Sequence, residues 1–431
     1  MTDLASRMQN KLANWQNAPG WCVALSGGLD STVLLHLLAA MKDRPALRAI
    51  HVHHGLQQVA DAWPEHCQRL CDSLGVELLV RHVTVEEGGS LEQAARNARY
   101  AVFSEVLRDG EILLTGQHRE DQAETLLLRL LRGAGLRGLM AMPGLRPLGD
   151  AWLVRPLLDS ARDEVLRYAR DHGLSWIEDP SNDDTRFTRN YLRQQVLPIL
   201  ASRWPQVSRT LARTADHLAE AGELLDELAR EDLAHAMGPG DFPWLGRPSL
   251  HLPGLLRLSP ARQRNALRLW LAPFTRLPDA DHWAGWDDLR DARPDASPIW
   301  KLTDGELHRA GEQIYWLSGD WIEAPGGGCW EDPPLALELP GNGWVFLRGK
   351  RPREALRIAY RQGGESMNIP GRGHRDLKRL LNERGVPAFV RGRLPLLFAG
   401  DRLIAVANLP DLVDGYLQLE WNVPTSEQGL R

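Results

Sequence analysis

Short apolar runs alternate with helical patterns over the N-terminal part of the chain. The runs have the length of buried strands, and the segments between them carry apolar residues at helical spacing. Strands are predicted at residues 21–25, 47–54, 76–83 and 111–115, and helices at 61–74, 90–107 and from near 119 onward. This alternation predicts an α/β fold with a doubly wound, Rossmann-like parallel sheet. In such sheets, ligands bind beyond the carboxyl ends of the strands.

The pattern changes in the rest of the chain. Residues 207–235 form one long amphipathic pattern, and residues 259–272 begin with the helix-start pair Ser259 and Pro260. The remaining predicted elements are short strands within 299–317 and at 356–360, 396–399 and 402–406, and a helix at 375–384. Three domains are therefore predicted: α/β at 1–215, mainly helical at 216–325, and small α+β at 344–422.

The composition is that of a globular protein. Hydrophobic residues make up 43% and charged residues 25% of the 431 residues, which is typical of globular domains. No apolar run approaches the ~20 residues of a membrane span, and the N-terminus lacks a signal-peptide core. Four scattered cysteines provide no disulfide framework and indicate a cytoplasmic protein. Cys67 and Cys71, four apart on a predicted helix, are expected to be buried thiols rather than metal ligands.

The charge is distributed unevenly. The whole chain has a formal net charge of −5. Residues 345–405, however, contain 14 Lys and Arg against 5 Asp and Glu, a net charge of +9. Such a basic segment indicates a polyanion partner, and its alternative explanation is a solvated basic face.

A glycine-rich turn separates the first predicted strand from the helix after it. The turn consists of Ser26, Gly27, Gly28, Leu29, Asp30 and Ser31. A turn of this kind presents backbone N–H groups and a helix N-terminus to an anion. The alternative is a turn that only caps the helix.

The turn differs from the usual triphosphate-binding loop, because no lysine follows it. Asp30 would repel a phosphate unless a divalent cation lay between them. The turn is therefore predicted to hold Mg²⁺-pyrophosphate. The full string resembles the signature loop of the N-type ATP pyrophosphatases, which cleave ATP to AMP and pyrophosphate while activating a carbonyl oxygen.

A second polar segment follows the fourth predicted strand. His118, Asp121 and Glu124 are spaced three apart at the start of a predicted helix, so they share one face. Carboxylates at a helix N-terminus are favourable in themselves. Because the segment abuts the predicted nucleotide site, a cationic substrate or a metal is the favoured ligand.

Arginines follow a turn at residues 179–182. Arg186, Arg189 and Arg193 suit contact with phosphate or RNA, and the alternative is a surface salt-bridge network. Residues 133–138 form a glycine-rich loop, which is either a lid or a helix stop.

Several of these motifs match one family in order. The matching segments are 26–31, 51–56, 95–100, 118–125, 132–139, 179–182 and 189–190 in the first half, with 361–365 and 377–383 near the end. Together they resemble the tRNA(Ile)-lysidine synthetase family over essentially the whole chain. One position departs from the family, which usually carries two histidines where this chain has Gln117 and His118.

The resemblance implies an ATP-dependent ligase that acts on tRNA(Ile) with a CAU anticodon. Oxygen O2 of the wobble cytidine (position 34) would be adenylated, and the ε-amine of L-lysine would then be joined at C2. AMP and pyrophosphate would be released, and the codon specificity would change from AUG to AUA. A homodimer is one alternative for the oligomeric state.

The resemblance also implies roles for individual residues. Asp30, with Mg²⁺, and the rest of the 26–31 turn would bind ATP. Asp121 and Glu124 would receive the lysine cation, and the base that deprotonates its amine stays open among them and His118. The implied substrate-binding residues are Arg96, Arg99, Arg132, Arg189 and Arg193.

Three other functions compete with this interpretation. A tRNA thiolase of the same superfamily generally needs cysteine pairs or an iron–sulfur cluster, and the four cysteines are scattered. A small-molecule ligase such as an NAD or GMP synthetase would leave the basic segment without a role. A catalytically silent RNA-binding protein would not need Asp30, Asp121 and Glu124.

Overall fold

The computed structural model divides into two compact units, Met1–Glu223 and Leu224–Arg431, and each is described by itself. The described residues are 3–55, 58–85, 91–238, 240–278, 281–293, 296–323, 325, 328–369, 372–413 and 417–424. Leu56, the last residue of the 51–56 motif, and Ser90, the first residue of a predicted helix, lie outside them. Among the described residues, no helix is long and apolar enough to cross a membrane.

The N-terminal unit is built around a six-stranded sheet in the order β3-β2-β1-β4-β6-β5. Its strands are β1 (Trp21–Ala24), β2 (Leu47–His53), β3 (Glu77–His82), β4 (Ile112–Leu114), β5 (Leu145–Leu148) and β6 (Ala151–Val154). All neighbouring pairs are parallel except β5 and β6. Neither β5 nor β6 is among the strands that the sequence predicted, and the Arg146-Pro147 pair in β5 favours a turn. A proline is tolerated in an edge strand, where its missing N–H faces away from the ladder.

Helices connect the parallel strands. They are α1 (Leu4–Leu12), α2 (Leu29–Ala39), α3 (Trp63–Leu74), α4 (Leu91–Val106), α5 (Arg119–Leu131), α6 (Leu136–Leu139), α7 (Arg162–Asp171), α8 (Thr188–Tyr191), α9 (Leu197–Arg203) and α10 (Val207–Ala234), of which α10 includes the division between the units. A π-helical turn, Leu192–Val196, joins α8 to α9. The predicted strands and helices of this region are confirmed within a few residues at each end.

The sheet has a core on each face. Successive residues of β4 point to opposite faces. Leu114 belongs to one core, with Leu34 of α2 and Val165 of α7. Leu113 belongs to the other, with Phe103 of α4. Because helices cover both faces, the predicted doubly wound fold is confirmed, and the turns after the strands meet at one edge.

The C-terminal unit begins with helices around a small sheet. Its first elements are β7 (Ser249–His251), α11 (Leu252–Leu256), α12 (Pro260–Leu271), α13 (Ala284–Asp291), β8 (Ile299–Lys301), β9 (Glu306–Ala310) and β10 (Gln313–Leu317). The strands form a four-stranded antiparallel sheet, β7-β10-β9-β8. The predicted cap of α12 is confirmed, because the Ser259 side chain accepts a hydrogen bond from the Arg262 N–H.

The rest of the unit is mostly strands. They are β11 (Cys329–Glu331), β12 (Ala336–Leu339), β13 (Gly343–Gly349), β14 (Leu356–Ala359), β15 (Ser366–Ile369), β16 (Gly373–Asp376), β17 (Leu396–Ala399), β18 (Arg402–Val406) and β19 (Leu417–Asn422), with helices α14 (Leu377–Glu383) and α15 (Ala388–Arg391). Two helices stand where one was predicted. Because β11 pairs with β14 and β12 with β13, strands before residue 344 share sheets with strands after it. The predicted three-domain division stays a prediction.

Candidate active site

The glycine-rich turn links β1 to α2 and is closed by its two serines. The Ser26 and Ser31 hydroxyl oxygens lie 3.0 Å apart. The Ser26 N–H donates to Ser31 Oγ at 3.2 Å, and the Gly28 N–H donates to Ser26 Oγ at 3.3 Å. Gly28 is the N-cap residue of α2. The turn therefore places hydroxyl and amide groups at the start of a helix, where an anion is favoured.

Two glycines let the backbone segments of the site approach closely. Gly27 has φ +85°, and a Cβ there would lie 2.5 Å from the Ile177 side chain. A Cβ on Gly116, which follows β4, would lie 2.9 Å from the backbone of Asp30. Both distances are too short for any other residue without a shift. The turns after β1 and β4 are therefore in direct contact, as the predicted sheet edge requires.

Asp30 carries a carboxylate that the protein leaves partly unsatisfied. Its Oδ1 is buried and has no hydrogen-bond partner in the part of the chain that the structure describes. Burial raises the pKa of this carboxyl above its usual value. A cation beside Oδ1 would satisfy the orphaned atom, so the residue fits the predicted Mg²⁺.

No group of three metal-ligating side chains is found among the described residues. Mg²⁺ is usually held by one or two carboxylates together with waters and substrate phosphates. Asp30 would be such a carboxylate, and the ATP phosphates would supply further oxygens.

His118 lies between three carboxylates. Its Nε2 is 3.7 Å from Asp30 Oδ2 and 3.6 Å from Asp121 Oδ2, and its Nδ1 is 3.3 Å from Glu120 Oε2. Burial lowers the pKa of His118, but these carboxylates outweigh burial and raise it above its usual value. The three carboxylates therefore stabilise the protonated form of the imidazole.

Glu120 is a site residue that sequence analysis missed. Burial alone would raise its pKa, but His118 and the Arg162 N–H lower it to about 2. Positions two apart do not face each other within a helix. Here His118 is the N-cap with an extended backbone, φ −121°. This conformation brings its ring to Glu120, and the sequence alone does not reveal it.

The two remaining acids are paired with arginines. Glu124 is 1% exposed. Its carboxylate accepts hydrogen bonds from Arg193 Nε at 2.6 Å and from Arg189 Nε at 3.0 Å. Arg193 also reaches Asp121 Oδ1 at 3.1 Å. The structure thus joins the predicted acids and two of the predicted arginines in one network of two positive and two negative charges. Arg186 lies apart and pairs with Asp184.

The turn at residues 179–182 holds the arginines of this network in place. The Asp179 side chain accepts the Ser181 N–H at 2.8 Å. Asn190 donates to the carbonyl oxygens of Ser181 and Asp184, at 2.8 and 3.0 Å. Asn190 lies between Arg189 and Arg193 in the chain, so these bonds fix the helical segment that carries both.

The other predicted substrate-binding arginines contact a different set of residues. Arg96 and Arg99 lie on α4. Arg96 donates to the Tyr100 hydroxyl at 3.3 Å, and Arg99 reaches His54 Nε2 at 3.1 Å. Arg132 is an exposed residue directly after α5. These three are separate from the Asp121–Glu124 network.

The cysteines behave as predicted. Cys22, Cys67 and Cys71 are buried free thiols, and Cys329 is an exposed free thiol. Burial raises the pKa of Cys67 and of Cys71 to about 12. The predicted burial of the Cys67 and Cys71 thiols is therefore confirmed.

Three family descriptions match separate parts of the chain. A PP-loop domain matches residues 1–200, a TilS substrate binding domain matches 250–315, and a TilS substrate C-terminal domain matches 356–412. The first covers the sheet and site of the N-terminal unit. The PP-loop match shows that this unit is an ATP-using domain.

Proteins similar to this chain include three named tRNA(Ile)-lysidine synthase. The protein from Pseudomonas putida is 62% identical over 97% of this chain and 99% of its own length. That from Pseudomonas aeruginosa is 58% identical over 99% of both. That from Escherichia coli O157:H7 is 42% identical over 89% of this chain and 91% of its own length.

One solved structure, a U34-tRNA thiolase from Methanococcus maripaludis, is 19% identical with a TM-score of 0.43, over 50% of this chain and 78% of its own. The curated relatives, by contrast, are similar over nearly their whole length, and their sequences align across both units. The chain therefore belongs to the tRNA(Ile)-lysidine synthase family, as an ATP-dependent tRNA-modifying ligase.

Proposed function

We propose that this enzyme joins L-lysine to C2 of the wobble cytidine in a tRNA(Ile) with a CAU anticodon. In the first step, cytidine O2 attacks the α-phosphorus of ATP and pyrophosphate leaves. In the second, the lysine ε-amine attacks C2, AMP leaves with the former O2, and the amine loses a proton. The observation that carries this proposal is the closed serine turn beside an unsatisfied buried carboxylate, Asp30, and an acid–arginine network.

The turn would bind the departing pyrophosphate. The Gly28 amide, the Ser26 and Ser31 hydroxyls and the start of α2 supply donors where negative charge develops. Mg²⁺ held by Asp30 would neutralise charge on the phosphates as a Lewis acid. The neighbouring carboxylates raise the pKa of His118, so a proton on its ring would add positive charge next to Asp30.

The acid–arginine network would receive lysine. Glu124 is buried, and both of its oxygens are bound by arginines. Asp121 is more accessible, with 14% of its side chain exposed. Because Asp121 is the more accessible of the two carboxylates, we assign the proton of the attacking amine to Asp121.

The accessory domains would bind the rest of the tRNA. We assign this role to the predicted domains at 216–325 and 344–422, because a methionine tRNA carries the same unmodified anticodon, so discrimination needs contacts elsewhere. The basic segment 345–405 suits contact with the RNA backbone. A cytoplasmic location and a homodimer are further predictions, which fractionation and light scattering would test.

Mass analysis of the anticodon nucleosides tests the reaction. The protein would be incubated with ATP, isotopically labelled lysine and transcribed tRNA(Ile). The wobble cytidine is expected to gain the mass of lysine less one water, only when both ATP and lysine are present. Sulfur incorporation, or ATP turnover without any lysine product, would contradict the proposal.

A further inference from the structure

Three arginines, Arg96, Arg146 and Arg155, lie around Tyr100, and a fourth, Arg129, lies near Arg96. They come from different elements: Arg96 from α4, Arg129 from α5, Arg146 from β5, and Arg155 from the end of β6. The guanidinium carbons of Arg96 and Arg146 each lie 4.8 Å from the centre of the Tyr100 ring. We call Tyr100 and these four residues the Tyr100 cluster.

The charges of the Tyr100 cluster are not balanced. None of its four arginines forms an ion pair with a carboxylate among the residues that the structure describes. Burial would raise the pKa of Tyr100, but Arg96, Arg155 and Arg146 outweigh it and lower the pKa below its usual value. Several unneutralised guanidinium groups at one place repel one another, so they point to an anionic ligand.

One of these arginines, Arg155, is buried and has an N–H group without a hydrogen-bond partner among the described residues. Arg155 is 4% exposed. It donates through Nη1 to the Pro143 carbonyl at 2.6 Å, while its Nε has no partner among the described residues. An unpaired buried charged donor is costly, and an anion at the cluster would remove that cost.

Two of the arginines, Arg129 and Arg155, are held in place by backbone carbonyl groups. Arg129 donates to the carbonyls of Gly138 and Ala141, both at 2.7 Å. Gln122 exchanges hydrogen bonds with the backbone of Met142. With Arg155 bound to Pro143, the segment 138–143 is fixed beside the cluster, which is thus formed before any ligand arrives.

The distance between the Tyr100 cluster and the glycine-rich turn matches the spacing of phosphates along an RNA strand. Arg155 follows β6 and the glycine-rich turn follows β1, and β4 is the single strand between these two. Two strand spacings correspond to about 10 Å, the rise of about three stacked nucleotides along one strand. The turn already provides for the pyrophosphate of ATP, so a different phosphate is needed here.

We propose that the Tyr100 cluster binds the phosphodiester backbone of the RNA loop that carries the reacting cytidine. The inference rests on the proposed function. It assigns RNA binding, which the sequence predicted for Arg96, also to Tyr100, Arg129, Arg146 and Arg155. The planar guanidinium groups match phosphate oxygens in pairs. Arg96 and Arg146 both lie against the Tyr100 ring, and Arg96 also donates to its hydroxyl group.

The test is the salt dependence of RNA binding by the full chain. The variant is Arg96→Gln/Arg146→Gln, and the probe is an anticodon stem-loop RNA with a CAU anticodon. Affinity is expected to fall about tenfold or more, and the slope of log K against log salt to become shallower by about 1.5, since each lost phosphate contact removes roughly 0.7–0.9.

A matched control removes the same charge elsewhere. Arg167 and Arg170 are exposed on α7, which packs against the opposite face of the sheet from α4. Arg167→Gln/Arg170→Gln should keep the wild-type slope. Arg96→Lys/Arg146→Lys keeps the charges and should restore most of the slope, which separates charge from loss of packing.

Each other result would overturn the inference. If the slope of log K against log salt is unchanged in Arg96→Gln/Arg146→Gln, RNA phosphate is not the ligand of the cluster. A fall in ATP affinity with unaltered RNA binding would reassign the cluster to the nucleotide. Lysine incorporation by the wild type is measured in the same preparation, so failure of the proposed function would show there and not in the comparison of slopes.

Discussion

The Asp121–Glu124 network and the Tyr100 cluster lie in the same unit but balance their charges differently. In the network, two carboxylates and two arginines make ion pairs, with Arg193 reaching Glu124 at 2.6 Å and Asp121 at 3.1 Å. In the Tyr100 cluster, the described structure shows no carboxylate paired with any of the four arginines. Among the described residues, the network therefore pairs its two positive charges with two negative ones, whereas the four positive charges of the cluster have no paired carboxylate.

This difference distinguishes charged residues that stabilise the folded protein from charged residues that bind a ligand. Breaking a buried ion pair exposes the remaining partner to desolvation without compensation. Removing one of several like charges instead relieves repulsion. We therefore expect substitutions in the network to reduce stability and substitutions in the cluster to reduce RNA binding. Asp30 is a third case, because its Oδ2 lies near His118 whereas its buried Oδ1 has no hydrogen-bond partner among the described residues.

The largest effect is expected at Asp30. Asp30→Ala should lower lysine incorporation at least about 100-fold, because the charge that faces the phosphates and the cation is lost. Its melting temperature should equal or exceed that of the wild type, since a buried unsatisfied carboxylate is removed. Asp30→Asn is the matched variant that keeps the volume. Near-normal turnover would show that the cation, if needed, is held elsewhere.

Glu124→Gln removes the buried negative charge that pairs with Arg189 and Arg193. The free energy of unfolding should fall by about 3 kcal/mol, as for other buried pairs that lose one partner. Denaturant unfolding with matched circular dichroism would measure it. Arg96→Gln/Arg146→Gln is the comparison, and its stability should be unchanged or higher. An equal loss in the free energy of unfolding in both variants would contradict the proposed difference between the network and the cluster.

Asp121→Asn tests the accessible side of the network. The apparent KM for lysine should rise about tenfold, the usual cost of one charged contact of about 1.4 kcal/mol. The KM for ATP should change less. Steady-state kinetics with each substrate varied in turn would show the split. An unchanged lysine KM would place the lysine receptor outside this pair.

The basic C-terminal segment offers exposed charges for a comparison with the Tyr100 cluster. Lys350, Arg353, Arg375 and Lys378 are exposed, and replacing all four with Gln should weaken binding of full-length tRNA several-fold. Binding of the anticodon stem-loop should stay unchanged, because that RNA lacks the remote parts. Substitution is preferred to deletion from residue 344, which would leave β11 and β12 without the strands that pair with them.

The smallest effect is the pH dependence of His118→Gln. The folded-state pKa of His118 is raised above its ordinary value of 6.5. Its contribution to stability is therefore fully present below that value and is lost as the pH rises through the folded pKa. The stability difference between wild type and variant should therefore shrink as the pH rises above about 6.5 and through the folded-state pKa. A constant difference would mean that the imidazole is not charged in the folded state.

Much of the N-terminal unit was predictable because its signals are local. Apolar runs, the glycine-rich turn and the spacing of His118, Asp121 and Glu124 can each be read within a few residues. They predicted the sheet, the edge where the turns meet and the residues of the site. The missed strand β5 shows the limit, since its Arg-Pro sequence favours a turn and only pairing with β6 makes it a strand.

The partners of the charged residues were decided by the tertiary structure alone. Arg193 is 69 residues from Glu124 in sequence, and the Tyr100 cluster draws on four separate elements. Sequence gives the type and position of each charge, because these are properties of single residues. Which charges are neutralised depends on strand order and helix packing, since electrostatic energy depends on distance in space. The sequence thus determined the fold class, the turn and the chemistry it can perform, whereas only the folded chain separated paired arginines from unpaired ones.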